Sequence, residues 1–221
     1  MTSFVPLDVR SVYNYNEAIE LFGSDYYLKQ ALSKKSFFKV EKGIYSDKKD
    51  NYTICEMVMK KYPHAFLVKD SALYHIGFIE TEPPKIHIGT ARNALRIKDE
   101  RVQQHFYSNL DLSSVGYDVD HILCCNNLKS YVTANNNEIR IWDLQALLFD
   151  LIRDSKLYPQ PVLIDILIKF RDCKVFTNFN RFEFKEALFY ERIPFDYELL
   201  DLIDEIRDHA WKRQWEQEWN W

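Results

Sequence analysis

The sequence predicts an α+β fold in three parts, residues 1–60, 61–172 and 173–221, and three patterns predict it. Residues 16–49 read as a helix, a tight turn, a second helix and a short basic hairpin. Residues 61–172 alternate strand-like and helix-like runs, which points to a mixed α/β domain. From residue 173 onward the pattern is mostly helical, a C-terminal extension.

In the first part, Asn16 is the expected N-cap of a short helix with Ala18, Ile19, Leu21 and Phe22 as its apolar side. Gly23 ends that helix in the left-handed region, and Ser24 caps the next, with Asp25 in its first turn. Leu28, Ala31 and Leu32 share one face by their i, i+3, i+4 spacing. The opposite face carries Tyr26, Gln30 and Ser33, flanked by Tyr27, Lys29 and Lys34. Beyond Ser36 the period changes. Phe38, Val40, Ile44 and Tyr45 are strand-prone around a Glu41-Lys42-Gly43 turn. Val9, Val12 and Tyr13, with Asp8 near the start, are expected to supply the first helix of a three-helix unit. The whole reads as a winged helix-turn-helix, residues 1–60, with a polar recognition face and a lysine-bearing wing.

Composition bounds the function. Of 221 residues 47% are hydrophobic and 15% aromatic, enough for a packed core, and five glycines and seven prolines argue against long disordered linkers. A net charge of −4 argues against a chain that coats nucleic acid indiscriminately. The charge is uneven, however. Residues 24–49 hold seven lysines against three acids, a net of +4, which leaves −8 for the remainder. Taken alone, such a cluster is ordinarily a solvated lysine face. Its coincidence with the helix-turn-helix pattern favours one face for DNA and an acidic body for something else. Cys55, Cys124, Cys125 and Cys173 form no CxxC pair and are expected reduced and mostly buried, as in the cytosol. The N-terminus carries no basic-then-apolar signal, and the apolar run 162–170 is interrupted by Asp165 and Lys169. A cytoplasmic protein with no membrane partner is expected.

Further along, Tyr52–Tyr62 is predicted helical, with Ile54, Met57, Val58 and Lys61 near one side and Pro63 as its stop. Ala65–Val68 is a short strand. A helix over Ala72–Ile76 follows, capped by Asp70 or Ser71 and ended by Gly77. Lys85–Ile88 and Val102–Tyr107 alternate like strands, and Asp118–Cys124 is strand-like. Tyr131–Thr133 and Glu138–Trp142 flank three asparagines, a hairpin turn. Asp143 caps a helix striped with Leu144, Leu147, Leu148, Leu151 and Ile152. Pro159 and Pro161 break it before a second helix, Val162–Phe170. Arg181–Tyr190 and Asp196–Trp221 are the remaining helices. Trp211, Trp215 and Trp219 recur at i, i+4, i+8 in the last. The ordinary role of such a stripe is packing on the chain's own body; the sharper one is partner docking.

Catalytic and metal signatures are sparse. The six histidines show no HxH, HExxH or Cys/His grouping, and GxSxG and GxxxxGK[ST] are missing. Gly23-Ser24 before a helix has the nucleotidyltransferase arrangement for a phosphate, but the only DxD, Asp118-Val119-Asp120, is far from it. Asp118 and Asp120, followed by Glu138-Ile139-Arg140, match a restriction-type Mg²⁺ nuclease except that Arg stands where Lys is usual. The simpler reading makes them exposed strand residues. No enzyme, metal or cofactor is expected.

The run LFGSDYYLKQALSKKSFFKVEKGIYSD resembles the N-terminal winged helix of AbiEi-family antitoxins of type IV toxin–antitoxin, or abortive infection, systems. The similarity continues through KYPHAFLVKDSALYHIGF, IHIGT, RIKDERVQQHF and EIRIWDLQALLFDLIRD, roughly residues 12 to 170. The resemblance implies a bacterial protein that represses its own operon by binding promoter DNA and counteracts a nucleotidyltransferase-like toxin in phage defence. It maps the recognition helix to Ser24–Lys35 and the wing to Phe37–Ser46. The DNA-binding candidates are Ser24, Tyr26, Tyr27, Lys29, Gln30, Ser33, Lys34, Lys39 and Lys42; Trp211, Trp215 and Trp219 are candidates for docking a partner. The alternatives are a protein-interaction module that no longer binds DNA and the nuclease built on Asp120 and Glu138.

Overall fold

The computed structural model describes residues 12–49, 52–107, 128–132, 137–142, 144–173, 175, 185 and 197–218, with backbone alone for 128–132 and 208–218. Among them lie seven α-helices and eight strands in two sheets, an α+β architecture. Backbone contacts group the described residues into two units. Those within Met1–Leu67, Lys85–Leu110 and Leu128–Ile141 form the first, and those within Val68–Pro84 and Trp142–Trp221 the second.

The first unit begins with β1 (Val12–Asn14), not with the expected helix; Val9 lies outside the described residues. Val12 and Tyr13 are buried because β1 pairs antiparallel with β3 (Ile44–Ser46), which in turn pairs with β2 (Phe38–Glu41). Helix α1 (Tyr15–Phe22) is capped by Asn14 rather than Asn16. Asn14 and Glu17 make a reciprocal capping box, Glu17 N–H to Asn14 Oδ1 at 3.0 Å and Asn14 N–H to Glu17 Oε2 at 2.8 Å. Gly23, at φ 76°, turns the chain, and Ser24 caps α2 (Asp25–Ser33) as expected. Leu28 and Ala31 are buried beneath α2. Phe37 packs there at 2% exposure, with the rings of Phe22, Tyr13 and Tyr45 at 5.0, 5.4 and 6.2 Å.

Helix α3 (Ile54–Lys61) has its own capping box from Thr53 and Glu56. Met57 and Val58 are buried as expected, but Ile54 faces outward and is half exposed. Lys60 Nζ meets Glu17 Oε1 at 2.6 Å, tying α3 to α1. A five-stranded mixed sheet completes the unit, in the order β6 (Val102–Tyr107), β5 (Ile86–Ala91), β4 (Phe66–Leu67), β8 (Glu138–Trp142), β7 (Leu128–Val132). β5 pairs parallel with β6 and antiparallel with β4, and β4 pairs parallel with β8. β7 and β8 are neighbours, as the asparagine turn predicts. The two sheets are joined where the Val12 N–H donates to Asn137 Oδ1 at 3.3 Å.

In the second unit, α4 (Lys69–His75) starts earlier than expected and has no side-chain cap. Asp70 instead accepts a hydrogen bond from the Tyr158 hydroxyl, and Lys69 ion-pairs with Asp154. Burial, then the Asp70 hydrogen bond, holds the Tyr158 phenol well above its ordinary pKa. Helix α5 (Leu144–Arg153) is buried from Ala146 to Ile152, including Asp150, which Arg153 pairs at 2.6 Å. Asp143 lies outside the described residues. Helix α6 (Gln160–Asp172) takes Pro161 into its first turn, where the missing N–H removes no helical bond, so that proline opens the helix rather than preceding it. Phe170 meets Phe78 edge-to-face at 4.8 Å. Helix α7 (Tyr197–Glu218) packs on α6 and buries Leu199, Leu200, Ile203 and Ile206. Cys173 is exposed, against the expectation of mostly buried cysteines, and Cys55 is half-buried. Residues 118–125 and 181–184 lie outside the described set.

Candidate nucleic-acid interface

Helix α2 has two unlike faces, and local chemistry makes both. Leu28 and Ala31 point inward, while Tyr26, Tyr27, Lys29, Gln30, Ser33 and Lys34 are all exposed. Ser24 is half-buried; its hydroxyl accepts from the Tyr27 N–H at 3.4 Å and holds the start of the helix. Tyr26 and Tyr27 are 69% and 56% exposed, and their rings meet edge-to-face at 5.4 Å. The Ser33 hydroxyl donates to the Gln30 carbonyl at 2.8 Å, so it turns back onto its own helix. The helix ends on Lys35 at φ 55°, where Ser36 N–H reaches Ala31 O at 3.1 Å and Lys35 N–H reaches Leu32 O at 3.2 Å. This is a Schellman ending with lysine where glycine is usual.

Lys29 is less available than the other candidate lysines of this surface, Lys34, Lys39 and Lys42. Its ammonium lies 2.6 Å from Asp25, one turn back. The hydrogen bond to Lys29 lowers the pKa of Asp25, and Asp25 raises that of Lys29. Asp25 also accepts from the Tyr15 hydroxyl at 3.2 Å. Tyr15, which sequence reasoning left out, thereby joins this surface. Its ring stands 6.4 Å from Tyr45, the cross-strand neighbour of exposed Lys39. Residues paired across strands share a face, so Lys39 lies on the Tyr15 side of the hairpin. Lys42 is exposed in the two-residue turn that Gly43 closes at φ 79°.

Glu41, beside that turn, is fastened to the second sheet. Arg101 Nη2 reaches Glu41 Oε2 at 3.0 Å, and Lys61 reaches Glu41 Oε1 at 3.1 Å. Both cations also bind Asp99, at 2.7 and 3.1 Å. The Arg101 hydrogen bonds hold the Asp99 carboxyl well below the usual carboxylate range. Asp99 belongs to the β5–β6 connection, which exposes Arg92, Arg96 and Lys98 and leaves Leu95 90% exposed. Gln104 braces this loop. Its amide donates to Thr90 Oγ1 at 2.8 Å and Leu95 O at 3.1 Å and accepts from Ile97 N–H at 2.7 Å.

Other expected groups fall as follows. Glu138 begins β8 and is exposed; burial lowers the pKa of the half-buried Arg140 guanidinium; Asp118 and Asp120 lie outside the described residues. Trp211 and Trp215 lie on the backbone of α7, but their side chains, and all of Trp219, lie outside the described residues. The parallel register of β5 and β6 brings His87 and His105 together, nitrogen to nitrogen at 3.2 Å, a pairing that spacing alone does not announce. Among the described residues no group of three potential ligands surrounds a metal-sized space, and no helix is long and apolar enough to cross a membrane. Compared with known proteins, the chain matches no family model and no curated sequence.

Proposed function

We propose that this chain is a DNA-binding antitoxin of the AbiEi type, a cytoplasmic bacterial repressor of its own operon that counteracts a nucleotidyltransferase-like toxin. In this reading β1, α1, α2 and the β2–β3 hairpin form a winged helix-turn-helix, with α2 as recognition helix and the Lys42 turn as wing tip. One observation carries it: the outward face of α2 is wholly polar or aromatic and exposed, beside the exposed lysines of the hairpin. Lys34, Lys39 and Lys42 contact phosphates, which supplies affinity and salt dependence but little sequence preference. Tyr26, Tyr27 and Gln30 approach base edges from the N-terminal half of the helix. No catalytic step is assigned to the chain.

Gel shifts with the upstream promoter test the DNA half. Lys34→Ala and Lys42→Ala weaken retention of every duplex, whereas Gln30→Ala changes which duplexes are preferred. No retention even at low salt would overturn the reading. Co-expression with the neighbouring gene product, with and without residues 205–221, tests the antitoxin half and the tryptophan stripe together. Loss of rescue by a truncated chain that is still folded by circular dichroism places toxin contact in the tail; unaltered rescue makes the stripe packing only. If the full chain gives no rescue, the antitoxin half fails.

A further inference from the structure

Two tyrosines stand side by side on the exposed face at the start of α2. Both are more than half exposed, and their rings contact each other rather than the core. Adjacent tyrosines, apolar in the ring and polar at the tip, are residues enriched at contact surfaces. The floor of the major groove offers one apolar group, the thymine 5-methyl, and apolar side chains read thymine through it. Gln30 lies one turn beyond Tyr26 and suits adenine N6 and N7. Guanine is ordinarily read by arginine or lysine. α2 contains no arginine, and Lys29, the lysine within these turns, is held by Asp25 at 2.6 Å. The reading groups on this face therefore favour A·T pairs over G·C pairs.

We propose that the Tyr26–Tyr27 pair reads thymine methyl groups, so that the duplexes this face selects carry A·T pairs where the first turns of α2 enter the groove. The inference rests on the DNA-binding reading above and adds to it the base class and the atoms recognised.

The test uses the full chain. Duplexes are selected from a randomised pool at low salt, and the strongest binder is remade with deoxyuridine in place of every thymidine, which removes only the methyls. The expected result is a selected A·T-bearing core and a loss of about threefold to fivefold per contacted methyl in the uridine duplex. The loss persists in Tyr26→Phe and Tyr27→Phe, which keep the rings. It disappears in the Tyr26→Ser/Tyr27→Ser double variant, which binds thymine and uracil duplexes alike. If both duplexes bind the wild type equally, or if the double serine variant keeps the full thymine preference, the inference is overturned while DNA binding stands. If no duplex is enriched in any round, DNA binding itself fails.

Discussion

Lys29 and Asp25 close a salt bridge at 2.6 Å across one turn of α2, and the Tyr15 hydroxyl holds the other carboxylate oxygen at 3.2 Å. Both charged groups are largely exposed, so the pair adds little to stability. Its effect is on electrostatics, because it cancels a cation on the face proposed to meet phosphates. Asp25→Asn is expected to tighten DNA binding about threefold to tenfold at low salt and to steepen the log–log salt slope by about one, as one further phosphate is neutralised. Binding isotherms across a salt series check this. An unchanged slope would mean that Lys29 faces away from the duplex.

Lys35 adopts a left-handed conformation that costs an L-residue about 1 kcal/mol or more. Lys35→Gly removes that cost at the Schellman position, while glycine loses more chain entropy on folding. The net expectation is a stabilisation of about 0.5–1 kcal/mol, seen as a higher urea midpoint with unchanged m-value. A lower midpoint would show that the lysine side chain contributes more than its backbone strain.

Asp99 supplies a pH dependence whose sign follows from its depressed pKa. Its contribution is complete above an unfolded-state value of about 4 and is lost as pH falls toward the lower folded-state value. Asp99→Asn is therefore expected to cost about 1.5–3 kcal/mol at neutral pH, because Arg101 and Lys61 lose a charged acceptor. The variant's stability should also fall less steeply between about pH 4 and pH 2. Urea unfolding at a series of pH values measures both; parallel curves would exclude Asp99 as a source of acid sensitivity.

Phe37 fills the space among α1, α2 and the hairpin. Phe37→Ala should cost roughly 3–5 kcal/mol by leaving Tyr13, Phe22 and Tyr45 around a void. DNA affinity should fall with it only where the protein is partly unfolded. A loss below about 1 kcal/mol would mean that the three rings close the gap.

What the chain discloses in advance follows the range of the interaction. The α2 cap, its buried Leu28 and Ala31 and the Gly43 turn depend on neighbours within a few residues and are read directly. The Asn14 cap was equally local: Asn14 and Glu17 have capping-box spacing, a stronger signal than Asn16 beside apolar residues. β1 was not legible, since three residues show no period and become a strand only by pairing with β3 some thirty residues on. The Glu41–Arg101 pair, the Gln104 brace and the meeting of His87 with His105 depend on sheet order, which no short window contains. On the candidate face, exposure of Lys29 and Lys34 follows from helical phase, while Lys39 and Lys42 lie on the hairpin. The i,i+4 spacing of Asp25 and Lys29 is itself an ion-pair signal in the sequence, whereas the inward turn of the Ser33 hydroxyl required side-chain geometry.

The Val12–Asn137 bond spans 125 positions, and the Arg101–Glu41 pair spans 60. A ribosome adding residues from the N-terminus releases α2 and the hairpin long before either fastening exists. The contacts that pack α1, α2 and the hairpin together therefore become available to the emerging chain before those that anchor the hairpin tip.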